Sequence, residues 1–376
     1  MRFFFIFLFS IVFSFLITSV YYNSQYVHPL MIEKIINGSW AHRDTMYHAS
    51  IAGIFKTYFF IGTGLDGFVP HYYHTLSHSV FGLFSILIDI SSLDFYSIVF
   101  PILITPIFFM FFLYSVLEVS KFYSKINNFE PLEEKNILLW LSLYIFFALP
   151  INIDFLPEKY QYLESQSYAL ALTILFLILN VFFYYINNKF NFIDKKINLF
   201  CFYFFPSIIF LLAILASYSK VSFVYLFTII GFYLFIRLKL FKFNFFLLLI
   251  FLWLLYNIYL YFNLLSLFDG REIHIEETYT IDHALSHSYS FKDEFFFLYL
   301  SIAYIFLKLI SLKIFTLKSI IENIVNRKIL DLELLFLIIL SLYIVPFQYF
   351  KGIQLYLSYI LIIAHLNFFR GVFHKR

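Results

Sequence analysis

The feature that most constrains this chain is a series of long apolar runs that carry almost no charge. They lie near residues 3–20, 96–117, 136–150, 166–186, 199–216 and 221–236, and again near 243–262, 295–313, 332–347 and 353–369. A hydrocarbon core of roughly 30 Å takes about 20 residues of helix to cross. Backbone groups in lipid must be satisfied internally, which leaves helices or closed barrels. A barrel needs alternating segments of about ten residues, and none is present. The chain is 62% hydrophobic and 13% charged, against about 45–50% and about 25% in soluble domains. So few charges cannot clothe a soluble fold of 376 residues, and disorder needs the opposite composition. The expected fold is therefore all-α: one polytopic membrane domain over residues 1–376, a transmembrane bundle of about ten spans. Phe3–Val20 follows Met1-Arg2 without a small-residue cleavage site, so it reads as an uncleaved first span.

Lys and Arg in short loops set the orientation of such a bundle. With both termini cytoplasmic, each inner loop is basic in turn. Lys121, Lys125 and Lys135 fall in one, and Lys189, Lys195 and Lys196 in the next. Arg237, Lys239 and Lys242 follow, then Lys313, Lys318, Arg327 and Lys328, and finally Arg370, Lys375 and Arg376. This register requires that segment 76–94 does not cross. Its His78, Asp89 and Asp94 suit a helix that lies on the outer surface or dips into it. Two long segments then face outward: residues 21–94, with juxtamembrane helices, and residues 263–294. The net charge of +3 is too small to suggest nucleic acid as a partner. The single cysteine, Cys201, excludes an internal disulfide and a cysteine-rich metal site.

The unusual chemistry collects on one face. His28, His42, His48, His71, His74, His78, His274, His283 and His287 all fall outside, leaving only His365 and His374. Gly38, Gly53, Gly62, Gly64, Gly67 and Gly82 cluster in the first outer segment, where they suggest irregular backbone. From Met46, Ala49, Ala52 and Ile54 the spacing predicts a helix, with Asp44 as its N-cap and His48 one turn later on the same face. An Asp/His pair of this kind serves as an oriented general base or as metal ligands, or simply as a cap beside an interfacial histidine. Gly62-Thr63-Gly64-Leu65-Asp66-Gly67 is turn-rich but is neither a P-loop nor a dinucleotide fingerprint. On a helix His71, His74 and His78 would share one face, suited to a ligand, sugar hydroxyls or a phosphate, or to an aromatic belt at headgroup level. Asp282, His283 and His287 sit in a second, acidic outer segment that reads as a solvated loop. Lys220, Arg271 and Lys351 are outer cations placed either to bind a lipid phosphate or to anchor helix ends by snorkelling.

One span, a long outer loop with an acidic residue opening a surface helix, then many spans: this layout resembles the GT-C superfamily of integral-membrane glycosyltransferases. Asp44-Thr45-x-x-His48, Thr63-Gly64-Leu65-Asp66-Gly67 and Tyr73-His74-x-x-Ser77-His78 look like a group of bacterial polytopic membrane proteins of that type. The detailed match covers roughly residues 40–100. The resemblance implies transfer of a sugar from a polyprenyl-phosphate carrier to a glycan or lipid acceptor on the non-cytoplasmic face, in cell-surface polysaccharide biosynthesis. It implies Asp44 as the base or a metal ligand, with His48 beside it, in the plasma membrane of a bacterium. His42, Asp66, His71, His74, His78, Lys220 and Arg271 are the candidate substrate-binding residues, and a divalent cation is the candidate cofactor. The chain departs from better-known members in lacking an Asp-x-Asp pair, a Trp-Trp-Asp motif and a soluble C-terminal domain. Two other readings remain. One is a transporter or flippase of lipid-linked glycans, against which the nearly glycine-free spans count. The other is a non-catalytic subunit of a polysaccharide assembly complex.

Overall fold

The structure, a computed structural model, describes residues 4–12, 14–15, 43–62, 74–127, 166–188, 199–220 and 243–268, with isolated positions in 223–231 and 316–318. Of these residues 91% are helical and none forms a strand, so the described part is all-α. The runs near 136–150, 295–313, 332–347 and 353–369 lie outside the described residues, as does nearly all of segment 263–294.

Two helices in the first outer segment form a pair: α1 (Arg43–Tyr58) and α2 (Thr75–Leu87). His48 meets His78, the backbone of Ala52 faces Gly82, and Lys56 Nζ donates to the Ile90 carbonyl at 2.7 Å. Contacts that climb both helices together mean that α1 and α2 run parallel, their N-terminal ends side by side. The buried face of α1 is His48, Ala49, Ile51 and Ala52, and that of α2 is Ser77, His78, Phe81, Gly82 and Ser85. Both follow the i, i+3, i+4 spacing of a helical stripe. The stripe on α1 is rotated from the expected one, since Met46 is exposed. Gly53 and Gly82 are helical and mark no break. A Cβ on Gly82 would stand 2.7 Å from Phe55 Cδ1 and 2.9 Å from the Ala52 carbonyl oxygen, so glycine is what lets the two backbones approach.

Segment 76–94 is not one continuous helix. Asp89 adopts a left-handed conformation and Ile90 N–H donates to the Ser85 carbonyl at 3.1 Å, closing α2. A new helix is then opened by Ser91, whose Oγ accepts from Asp94 N–H at 3.0 Å while donating to Asp94 Oδ2 at 2.6 Å. At 13 residues, α2 is roughly 20 Å long, shorter than a bilayer core.

From Ser92 the chain stays helical through a π-turn at Phe95–Val99 into α3 (Phe100–Asn127). The remaining helices are α4 (Gln166–Asn188), α5 (Leu199–Ser219) and α6 (Asn244–Phe268). The last of these runs past residue 262 into the segment assigned to the second outer loop. Helix α4 packs between α3 and α5, and α5 also touches α2. Polar side chains tie these apolar helices together. Ser115 Oγ donates to its own helix at Phe111 and to the Phe176 carbonyl of α4 at 3.1 Å, and Asn180 Nδ2 donates to the Phe111 carbonyl at 2.9 Å. Phe108, Phe112 and Phe176 fill the seam edge to face, and Trp253 of α6 donates to Thr228. Among the described residues one helix, over Asn244–Asn263, is long and apolar enough to cross a membrane. Shorter apolar stretches span Thr75–Leu87, Ile102–Glu118, Ala169–Tyr184 and Tyr203–Ser219.

The two helical glycines should respond differently to a methyl group. Gly82→Ala must push apart the backbones of α1 and α2 and should destabilise the fold by about 1–3 kcal/mol. Gly53→Ala, whose Cβ would meet only Ser92 Oγ at 3.7 Å, should be neutral or stabilising by up to about 1 kcal/mol through helix propensity. Thermal unfolding of the detergent-solubilised variants checks both. A Gly82→Ala protein as stable as wild type would contradict the close contact.

Candidate functional site

Four of the residues singled out above converge where α1 and α2 begin. His48 is 4% exposed, His74 1%, His78 0% and Lys220 5%, so these polar side chains are among the most buried of the described residues. Burying such groups is costly unless they bond to one another. His48 Nδ1 lies 2.8 Å from His78 Nε2, and Lys220 Nζ lies 3.2 Å from His74 Nε2. The His48 and His78 rings meet edge to edge, with centroids 5.0 Å apart and 27° between planes, and the His48 ring lies 5.4 Å from that of His74. Three imidazoles and one amine therefore form a single cluster drawn from α1, α2 and the end of α5.

The local sequence places each member. His48 stands one helical turn before Ala52, and His78 one turn before Gly82, so the contact that brings the backbones together also brings the rings together. His74 is not on the helix with His78, as its spacing suggested. It is the residue before α2, with φ 56 and ψ 33, a left-handed conformation rarely taken outside glycine. Its carbonyl accepts from Ser77 Oγ at 2.8 Å and from His78 N–H at 3.3 Å. Strain of this kind persists where surroundings hold it, commonly at functional sites. Lys220 follows directly on α5, its N–H donating to Ala216 at 2.9 Å and its carbonyl accepting from Phe223 at 3.0 Å. Ser219 beside it, fully buried, has an Oγ with no hydrogen-bond partner among the described residues. Sequence reasoning missed Ser219, because no local pattern marks a serine as buried.

The bonds constrain proton positions. An ammonium has donors only, so with Lys220 charged His74 accepts at Nε2 and is neutral with its hydrogen on Nδ1. An N···N hydrogen bond needs one bare nitrogen, so at least one of His48 and His78 is neutral. The N-terminal ends of two parallel helices add partial positive charge to the same place. With Lys220 charged, these groups form a buried, electropositive cluster suited to an oxyanion.

The arrangement does not match a metal centre. Two nitrogens on one tetrahedral zinc lie about 3.3 Å apart given bonds of about 2.0–2.1 Å, whereas His48 and His78 are at hydrogen-bond distance. Among the described residues no group of three or more His, Cys, Asp or Glu is arranged to hold a metal ion. The helix begins at Arg43, which puts Asp44 inside the first turn of α1 and not at its N-cap. His42, Asp66, His71 and Arg271 lie outside the described residues.

If His48 and His78 bond as described, their substitutions will not be additive. A cycle of His48→Phe, His78→Phe and the double variant should give a coupling of about 0.5–3 kcal/mol in unfolding free energy. Additive losses would contradict the contact.

No protein-family model matches this chain, and no curated protein or solved structure matches it.

Proposed function

We propose that the protein is a multi-pass membrane glycosyltransferase that takes a sugar from a polyprenyl-phosphate-type carrier on the non-cytoplasmic face and passes it to a glycan or lipid hydroxyl. The observation that carries this reading is the buried cluster of His48, His74, His78 and Lys220 at the paired N-terminal ends of α1 and α2. Glycosyl transfer needs a base for the acceptor hydroxyl and a positive group for the leaving phosphate, and the cluster contains both. The span-like helix Asn244–Asn263, the apolar helices around it and the basic inner loops support a bilayer setting with cytoplasmic termini.

In this mechanism the acceptor oxygen bonds to the anomeric carbon as its proton passes to a side-chain base. The bond from that carbon to the carrier phosphate breaks, and its electron pair leaves on the phosphate oxygen. Lys220, with His74 held against it, offsets the charge that grows there. Asp44 and His48, one turn apart on α1, are the candidate base and its orienting partner. No step is assigned to a divalent cation.

A flippase for the same lipid-linked glycan is the second reading, favoured by Pro106 inside α3, Pro206 inside α5 and the break at Lys220. Prolines within apolar segments are a feature that transporters often carry. The two readings share a phosphate site and differ in whether a glycosidic bond forms.

Purified protein in nanodiscs, given radiolabelled polyprenyl-phosphate sugars and an acceptor extract, should yield labelled glycan. Lys220→Met should slow transfer by about 10²–10³-fold, as loss of one oxyanion donor does. Asp44→Asn should be at least as impaired if Asp44 is the base, and only about tenfold impaired if it orients His48. Lipid translocation in proteoliposomes without bond formation would favour the flippase, and undiminished transfer by Lys220→Met would remove the proposed phosphate site.

A further inference from the structure

We propose that His74 and His78 form a pH-sensitive latch, which holds the N-terminal end of α2 to α5 and to α1 at neutral pH and releases it in acid. The latch depends on the bonds of the cluster and operates whether or not the protein transfers sugar.

Both side-chain bonds that tie this end of α2 to its neighbours run between two nitrogens. His78 Nε2 meets His48 Nδ1 of α1 at 2.8 Å, and His74 Nε2 meets Nζ of Lys220, just past the end of α5, at 3.2 Å. A hydrogen bond between nitrogens needs one of them bare, and neither an imidazolium nor an ammonium has a lone pair to offer. Each bond therefore survives with one cation and fails with two. With both bonds closed, His48, His74, His78 and Lys220 carry at most two positive charges among them, whereas separated in acid they carry four. Release of α2 in acid thus takes up two protons. Further contacts of these side chains shift the pH at which the protons add, but none restores a bond that has lost its bare nitrogen.

The surroundings add to the bias. All four side chains are more than nine-tenths buried, where like charges are poorly screened. Release also frees His74 from its left-handed backbone, φ 56. Among the described residues, α1 brings Arg43 and Asp44 at its start and Tyr47, whose ring lies 5.4 Å from that of His48. Lys56 and Tyr58 lie at its far end, Lys56 bonded to the Ile90 carbonyl. Asp89, Asp94 and Tyr96 lie past the other end of α2, Asp94 bonded to Ser91 and Tyr96 packed on Phe81. Helix α4 carries only Tyr168, Tyr184 and Tyr185, and α5 only Cys201, Tyr203 and Tyr218 ahead of Lys220. Because the open form binds more protons, closure holds above the ordinary histidine range, roughly pH 6.5, and is lost as pH falls below it. At the two-proton limit the ratio of open to closed rises about 100-fold per pH unit.

Spin labels on the full-length protein in nanodiscs test the latch. In a Cys201→Ser background, Met46→Cys on α1 and Thr75→Cys on α2 carry nitroxides at the two helix ends. Dipolar broadening between the labels should be strong at neutral pH, disappear in acid and return on neutralisation. Its loss should be steeper than the roughly tenfold per pH unit that one proton gives. The double variant His74→Gln/His78→Gln replaces both rings with amides, which donate or accept at any pH. Its labels should therefore stay close down to about pH 4.5, well below the ordinary histidine range. Broadening that persists in acid in the labelled parent, a loss no steeper than one proton, or a loss that does not reverse would each overturn the proposal. So would an equal loss in the double variant. If the double variant does not fold, the steepness in the labelled parent decides, and His78→Gln alone should lower it by about one proton, roughly tenfold per pH unit.

Discussion

The contact between the Ala52 carbonyl and Gly82 sets the geometry on which the candidate site depends. It lets two helix backbones pass close enough that side chains one turn away must meet. On α1 that side chain is His48 and on α2 it is His78, and their rings close to 2.8 Å. Because the helices run parallel, the same contact gathers both N-terminal ends at one point. A larger residue at position 82 would separate the imidazoles and the helix ends together. Packing and electrostatics at this site are thus a single arrangement.

Many of the other buried hydroxyls are handled locally. Ser10, Ser85, Thr173 and Ser217 each return a hydroxyl to the carbonyl four residues back in their own helix, which hides the group without demanding a partner. The histidine cluster does the reverse. It bonds side chain to side chain across three helices, it includes a buried amine, and it holds His74 in a backbone conformation that costs energy. Positions that break the habits of the rest of a fold are where function is most often found.

What the sequence made legible follows from the range over which each signal acts. Apolar runs near 96–117, 166–186, 199–216 and 243–262 correspond to α3, α4, α5 and α6, since an uninterrupted apolar stretch has few alternatives to helix. Ends were less legible. The Ser91–Asp94 box was readable as a motif, but α2 is closed by Asp89 in a left-handed turn without a glycine, which no composition signals. His48, His74, His78 and Lys220 were all picked out as candidates from their residue types. Their pairing was not, because His48 and His78 are 30 residues apart and Lys220 is 146 residues from His74. The glycines were read as marks of irregular backbone, whereas Gly82 serves as a contact point inside a helix.

The central claim is that this cluster receives a lipid-linked phosphate. A polyprenyl phosphate bearing a diazirine close to its headgroup, photolysed with the protein in nanodiscs and mapped by mass spectrometry, tests it most directly. The account predicts labelling on peptides that contain residues 44–48, 74–78 or 217–220, suppressed by excess unmodified polyprenyl phosphate. Labelling confined to other parts of the chain, or unaffected by the competitor, would contradict it.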